Sequence, residues 1–160
     1  MTHLREQRIH PRPPGRGPAG MITFLFVEYF DELVFTTVGV AMPFLRDDLG
    51  LDYAQIGLLF GAPAILSTAL EPAVLLLGDT PLRGRLILAG GLLLGMAFLL
   101  IGGADRFPVL LLALTVSYPA SGAFVGLTQA TMIERNPARE SEMMARWTAA
   151  GKRFRLFLRM

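Results

Sequence analysis

The sequence predicts an all-α membrane protein, a polytopic helix bundle with four transmembrane helices and the start of a fifth. Four long apolar segments carry this prediction, at residues 21–45, 54–78, 86–103 and 109–133. An α-helix needs about 20 residues to cross a hydrocarbon core about 30 Å thick, and each segment is close to that length. The composition agrees, because 52% of the residues are hydrophobic, 18% are charged and the mean hydropathy is +0.49. A soluble domain this apolar would break these segments with polar residues, yet the last two contain no charged residue.

The joints between the segments contain signals that start and stop helices. In chain order they are an N-cap at Asp52, a turn at 79–81, a glycine pair at 102–103, a first-turn proline at 108 and a helix stop at 136–137. A further helical pattern begins near Arg139, and it predicts the start of the fifth helix.

Glycines four residues apart occur in three of the segments. Such pairs flatten one helix face so that another backbone can approach, which favours helix association in lipid. They predict a compact bundle that packs through these glycine faces. The pairs are Gly57/Gly61, Gly91/Gly95 and Gly122/Gly126.

Arginines alternate along the chain between rich and poor stretches. The first twenty residues hold four arginines against one acid, and the four joints that follow carry one, two, one and three arginines. The positive-inside rule then places the N-terminus and the second and fourth joints in the cytoplasm of a multi-pass protein of the cell (inner or plasma) membrane. Residues 1–20 are predicted to form a disordered basic leader rather than a signal peptide, since residues 10–20 contain no apolar run. The bundle is predicted over residues 21–151.

Carboxylates lie inside two of the apolar segments, at Glu28, Asp31 and Glu32 in the first and Glu71 in the second. If the first span began after Glu32, only 33–45 would remain, about 20 Å of helix, which is too short to cross. Such acids are expected to face the bundle interior or water. Asp31 and Glu32 lie three and four residues after Glu28, so the three acids share one helix face.

Glu28 and Glu71 each lie seven residues from the predicted cytoplasmic end of their segment, so they are expected at similar depth. Two acids close together in a low dielectric rarely ionise together, and such a pair could hold a proton or a cation in transit. The alternative is that each acid is protonated, or pairs with a residue of another span, and only stabilises the bundle. The four apolar segments contain no Lys or Arg, so a basic partner would have to lie elsewhere.

The layout resembles the N-terminal third of a major facilitator superfamily transporter over about residues 21–151. Members of that family join their second and third helices by a loop of the form G-x-x-x-D-R/K-x-G-R-R/K, and residues 75–85 read LLLGDTPLRGR. The first outer joint, MPFLRDDLGL at 42–51, and the opening of the second helix, DYAQIG at 52–57, also resemble the family. So do ERNPARE at 134–140 and MARWTAAG at 144–151.

The resemblance implies a function as well as a fold. Family members carry small solutes between two six-helix halves that rock about a central site. In the family the loop after the second helix acts as a conformational latch, and Asp79, Arg83 and Arg85 inherit that role. Many proton-driven exporters of the family have an arginine in the fourth helix, which this chain lacks, so the acids of the first two spans would have to couple transport to protons.

The C-terminal residues 152–160, KRFRLFLRM, are too basic for a membrane span. They predict a truncated or frameshifted product, a fragment without the full transport pathway; an amphipathic interfacial helix is the alternative. Three functions therefore remain open. The first is part of a solute transporter that needs an oligomer or a missing C-terminal portion. The others are a self-sufficient four-helix homodimeric cation or drug exporter, and a non-transport membrane assembly subunit, which would tolerate neutral Glu28 and Glu71.

Other classes of function find little support in the residues. The chain has no cysteine, no metal-ligand cluster, no nucleophile motif and no phosphate loop, so neither an enzyme nor a cofactor or metal site is expected. Topology explains the basic residues, so nucleic acid is not an expected partner. The expected partners are the lipid bilayer, a small solute and a coupling proton.

Overall fold

A computed structural model describes residues 18–135 and 137–157. Most of the predicted leader and residues 158–160 of the predicted tail lie outside the described residues. The described residues form helices with no strand, which confirms the all-α prediction. In chain order the helices are α1 (Pro18–Leu49), α2 (Tyr53–Gly78), α3 (Arg83–Gly102), α4 (Phe107–Arg135) and α5 (Glu140–Phe157). A short 3-10 turn, Pro137–Arg139, precedes α5.

Three of these helices are long and apolar enough to cross a membrane, namely α2, α3 and α4. Their ends lie within a few residues of the predicted segments. At 32 residues, α1 is the longest helix, and it contains the acids Glu28, Asp31 and Glu32. That α1 also crosses the membrane remains a prediction. The first part of the predicted basic tail continues α5 as far as Phe157.

The bundle is organised around α4, which packs against both α2 and α3. The second half of α4 also contacts α1, and α1 packs along α5. Three clusters of buried apolar side chains lie between these helices. Val38, Met42, Leu59, Ile101, Leu110 and Leu114 belong to the cluster at one end, Val27, Met132, Met143 and Trp147 to the other end, and Val34, Leu94 and Ala120 to the middle. Successive helices therefore run in opposite directions, as the alternating joints predict.

The start of α2 confirms the predicted N-cap. The Gln55 backbone N–H donates to Asp52 Oδ1 at 2.7 Å, and the Asp52 backbone N–H donates to Gln55 Oε1 at 3.0 Å. This reciprocal capping box satisfies two backbone donors that the first turn of a helix otherwise leaves unpaired. Just before it, Gly50 has a φ of 61°, a left-handed conformation that glycine adopts without steric cost.

The prediction that the glycine pairs pack the bundle is wrong for most of these residues. A Cβ atom would meet nothing within 4 Å at Gly57, Gly61, Gly95, Gly122 or Gly126. Only Gly91 of the six lies against a neighbour, the ring of Phe124, 2.9 Å from that position. The close approach is made by Gly90 instead, one residue away. The four-residue spacing creates a flat face, but the side chains on the rest of the helix decide which face turns inward.

Acid should loosen the start of α5. Arg139 donates two hydrogen bonds to Glu142, each 2.7 Å long, and Arg146 adds an ion pair at 2.8 Å. The hydrogen bonds from Arg139 lower the pKa of Glu142, with the positive charges of Arg139 and Arg146 acting in the same direction. A carboxyl with a lowered folded-state pKa stabilises the fold above its unfolded pKa of about 4.3, and that contribution is lost as the pH falls through the folded value.

We therefore expect the amides in the first turns of α5 to lose hydrogen-exchange protection near pH 3 relative to pH 7, after correction for intrinsic exchange rates. Glu142→Gln should produce the same loss at pH 7. Unchanged protection in both experiments would show that the ion pairs do not hold this end of the helix.

Candidate functional site

The acids of α1 form one face, as their spacing predicts. Glu28, Asp31 and Glu32 are all half-buried, whereas Tyr29 between them is 44% exposed. We call these three residues the acid face. Because all three acids are half-buried, the face lies at the boundary between the exposed side of α1 and the rest of the bundle.

One member of the acid face makes a direct contact with α4. The Ser121 hydroxyl donates a hydrogen bond to Asp31 Oδ1 at 2.6 Å. The two residues are 90 positions apart in the chain, so this bond joins two helices. It gives the carboxyl group of Asp31 a polar partner on a neighbouring helix.

The surroundings of this bond are aromatic and aliphatic. Phe30, Phe35 and Phe124 pack against the buried cluster of Val34, Leu94 and Ala120. The ring of Phe35 also meets the ring of Tyr118 edge to face, with the centroids 5.2 Å apart. Asp31 and Ser121 therefore lie beside a region with little water, where a hydrogen bond or a bound charge counts for more than at the surface.

The helix changes geometry immediately after Ser121. The residues Gly122–Gly126 form one turn of π-helix between the α-helical parts Phe107–Ser121 and Leu127–Arg135. A π-turn disturbs the regular ladder of backbone hydrogen bonds, and such turns are frequent at functional sites. The polar contact to α1 thus lies beside an irregular stretch of α4.

A close backbone contact with α3 supports this irregular stretch. A Cβ atom on Gly90 would lie 2.8 Å from the carbonyl oxygen of Ala120 and 2.9 Å from the amide nitrogen of Phe124. Only glycine allows the two backbones to come this close. α3 therefore holds α4 at the position where α4 contacts Asp31.

Glu71 lies in a different environment from the acid face. Its side chain is exposed on α2, and it forms no hydrogen bond or ion pair within the part of the chain that the structure describes. The contacts described around Asp31 come from α1, α3 and α4. The predicted pairing of Glu71 with Glu28 stays a prediction.

A second polar cluster lies where α2 ends and α3 begins. Arg83 donates two hydrogen bonds to the carboxylate of Glu134, near the end of α4; the one from Nη2 to Oε1 is 2.9 Å long. Arg83 also donates to Asp79 Oδ1 at 3.3 Å and, through Nε, to the carbonyl oxygen of Gly78 at 2.6 Å. This arginine thus binds the end of α2, its own loop and the end of α4. Arg85, by contrast, is exposed.

The pair formed by Arg83 and Glu134 should contribute modestly to stability. Two-pronged arginine–carboxylate pairs are the favourable case among surface ion pairs, and we expect a coupling energy of about 1 kcal/mol. A double-mutant cycle with Arg83→Ala and Glu134→Gln in detergent measures this coupling, and it should weaken at 1 M salt. Arg85→Ala is the matched control and should change stability by less than about 0.5 kcal/mol. A coupling energy near zero at low salt would contradict the geometry.

Two residues of these sites were not found from the sequence. Ser121 is a small polar residue in an apolar helix and resembles many that serve only as contacts between helices. The feature of the sequence that could have drawn attention to Ser121 is the glycine that follows it, Gly122. Glu134 belongs to the joint after α4 that resembles the family, but the sequence does not indicate that it folds back onto Arg83.

The Asp31 site places one ionisable group beside one hydroxyl group between α1 and α4. A carboxyl group with one hydroxyl partner can exchange a proton without moving the backbone. Among residues 18–135 and 137–157, no group of three or more His, Cys, Asp or Glu side chains is placed to hold a metal ion.

Comparison with known proteins assigns the family. The model of the Major Facilitator Superfamily matches residues 24–152, which is most of the chain and includes both polar sites. No curated protein and no solved structure matches the chain. The match agrees with the all-α bundle and with its apolar helices, which mark a multi-pass membrane protein. The chain belongs to the Major Facilitator Superfamily, a family of membrane transporters.

Proposed function

We propose that the chain takes part in secondary active transport of a small solute across a cell membrane, with the acid face of α1 binding the coupling proton or cation. The observation that carries this proposal is the 2.6 Å hydrogen bond from Ser121 to Asp31. It places a carboxyl group between two helices of a transporter-family bundle, beside the π-turn of α4.

The energetic cost of these acids supports a function for them. A carboxylate at the centre of a membrane span costs about 2.5 kcal/mol or more, and intramembrane acids usually mark ion or proton pathways. Three acids on one face of α1 multiply that cost. Glu28, Asp31, Glu32 and Glu71 are the proposed residues, and Asp31 has the best-defined partner.

We propose a latch role for the second cluster. Asp79 and Arg83 hold the joint between α2 and α3 against Glu134 at the end of α4, and Arg85 lies free to reach another element. These are exposed ion pairs, which form and break at little cost. The joint would be held in one conformation of the transporter and released in the other. The alternating arginines support a cytoplasmic location for this joint and for the N-terminus.

We also propose that further helices complete the solute pathway, supplied by a longer product of the gene or by another subunit. The proposal is supported by the exposure of α2 and α3, since large parts of both helices are uncovered in this chain. The homodimeric exporter remains the second candidate, because the acid face of α1 would suit it too.

Solute-dependent proton flux tests the proposal. The gene would be sequenced beyond codon 151 and translated in all three reading frames. Any further membrane spans found there would be fused to this chain, and we call the product the joined protein. Vesicles would then be made with the joined protein and with this chain alone. Collapse of an imposed pH gradient would be followed by an internal dye, with sugars, organic anions and organic cations as solutes. Arg106→Ala, in the exposed joint between α3 and α4, is the matched control for Asp31→Asn.

We expect flux from the joined protein, lost in Asp31→Asn and kept in Arg106→Ala. Flux from this chain alone that disappears in Glu28→Gln would favour the homodimeric exporter. The proposed site would be overturned if solute-driven proton flux in the joined protein stayed unchanged after residues 28, 31, 32 and 71 were replaced by neutral ones. No flux from any preparation, together with unchanged assembly of the neutral variants, would favour the assembly role.

A further inference from the structure

The second half of α2 exposes a polar group at membrane depth. Glu71 lies seven residues before the end of α2 at Gly78, about 10 Å along the helix axis. α2 is the least covered of the three candidate spans. Within the described residues Glu71 has no hydrogen-bond or ion-pair partner, and its side chain is exposed. A carboxyl group at this depth is expected to face a partner or water rather than lipid.

A flat strip of the helix surface runs up to this carboxyl group. Gly57, Gly61, Ala64, Thr68 and Glu71 follow one another at spacings of four, three, four and three residues, so they share one face of α2. We call this strip the small face. Nothing lies within 4 Å of a Cβ position on Gly57 or Gly61. Small open residues of this kind allow a second helix to approach closely in lipid.

The small face is distinct from the face that α2 turns to α4. Leu59, Pro63 and Gly78 are the buried residues of α2, and the Leu127 side chain fills the space beside Gly78. At about 100° per residue, the small face is rotated by more than a third of a turn from Leu59 and Pro63, whereas Gly78, seven residues after Glu71, ends the helix on nearly the same side as Glu71. Thr68 is already satisfied, because its hydroxyl donates to the Ala64 carbonyl oxygen at 2.9 Å. Glu71 is therefore the polar group of this face that still needs a partner.

We propose that the small face of α2 is the docking surface for a further transmembrane helix that presents a basic side chain, arginine or lysine, to Glu71. Charge complementarity selects this occupant, and an ion pair there would give Glu71 a docking role in place of its proposed share in proton coupling. The apolar segments at 21–45, 54–78, 86–103 and 109–133 contain no Lys or Arg, so none of these four segments supplies the cation. A second copy docked symmetrically through the same face would bring two Glu71 carboxylates together, which is unfavourable unless they share a proton.

Cysteine cross-linking to designed helices tests this inference, and the natural chain has no cysteine to interfere. The probes are two synthetic polyleucine–alanine transmembrane peptides, each with a small-residue face and one cysteine. One carries an arginine about 10 Å from its end and the other carries leucine there. Leu75→Cys lies on the small face and Leu77→Cys on nearly the opposite side of α2, and both native leucines are exposed, 48% and 44%.

With the arginine peptide, Leu75→Cys should cross-link about fivefold more than Leu77→Cys, the ratio expected for one interhelical polar contact. The excess should vanish with the leucine peptide and in Glu71→Leu, and Gly61→Leu should reduce it by blocking the face. Thr68→Leu gives a second blocked variant, and helical circular dichroism checks that each variant folds.

Equal cross-linking at both cysteines, or equal cross-linking by both peptides, would overturn the proposal. Cross-linking of Leu75→Cys to itself in the absence of peptide would also overturn it, by identifying a second copy as the occupant. None of these outcomes depends on solute transport.

Discussion

Replacing Gly90 with leucine is expected to separate α3 from α4 and to destabilise the bundle by about 3 kcal/mol or more. The added side chain would begin 2.8 Å from the Ala120 carbonyl oxygen and 2.9 Å from the Phe124 amide nitrogen. Both atoms belong to the backbone of α4, so no rotamer change can make room. The helices would have to move apart, and the buried contacts of Leu94 and Ala97 would be lost with them.

The matched control for this prediction is Gly95 on the same helix. A Cβ atom at Gly95 would meet nothing within 4 Å, and alanine is favoured over glycine inside a helix by about 0.5–1 kcal/mol. Gly95→Ala should therefore be neutral or stabilising, whereas Gly90→Ala should already destabilise. Unfolding in mixed micelles with rising SDS, followed by circular dichroism, measures all variants. If Gly90→Leu and Gly95→Leu unfold at the same SDS fraction, α3 does not contact α4 through Gly90.

The second large effect is expected from Asp31, where structure and transport can be separated. In Asp31→Asn the side-chain carbonyl oxygen still accepts the Ser121 hydrogen bond, but the group can no longer bind and release a proton. We expect stability within about 0.5 kcal/mol of the parent chain and complete loss of coupled proton flux in the joined transporter. Ser121→Ala should show the opposite pattern, with lower stability and with coupled proton flux retained. It removes the hydroxyl donor and should cost about 0.6–1.7 kcal/mol while leaving the carboxyl group in place.

This pair of variants distinguishes a working carboxyl group from a structural one. SDS unfolding gives the stability, and vesicle flux gives the coupling. If Asp31→Asn retains flux, the coupling site lies elsewhere, and Glu28 and Glu32 are next to be tested. If Ser121→Ala costs nothing in stability, the hydrogen bond does not hold α1 to α4.

Much of the fold follows from hydropathy and local chemistry. The apolar segments predicted α2, α3 and α4 to within a few residues, because helix length in a membrane is set by bilayer thickness. The sequence predicts the N-cap at Asp52 because an N-cap depends on neighbouring residues alone, and the structure adds the reciprocal bond that makes it a capping box. Packing was harder to predict. Nothing in residues 86–103 distinguishes Gly90, which contacts α4 backbone, from Gly95, which is open.

The candidate sites were predicted only in part, because local sequence sets the spacing of residues on one helix but not the packing of one helix against another. The spacing of Glu28, Asp31 and Glu32 predicts a shared face, since it depends only on helix geometry. Their partner on α4 depends on how two helices are rotated against each other, and Ser121 could not be identified from local sequence. The family resemblance led to Asp79 and Arg83. Arg83 and Glu134 are 51 positions apart in the chain, so their contact is evident only in the folded bundle.

The central claim is that α1 turns its acid face towards α4 at Ser121, and cross-linking in native-like membranes tests it most directly. Asp31→Cys and Ser121→Cys would be combined in the cysteine-free chain and treated with a short thiol cross-linker. Because the native side-chain oxygens are 2.6 Å apart, the account predicts rapid intramolecular cross-linking. Tyr29→Cys with Ser121→Cys, the control pair, should remain unlinked. Linkage of the control pair in preference to the Asp31→Cys pair would show that α1 is rotated away from α4, and would contradict the proposed site.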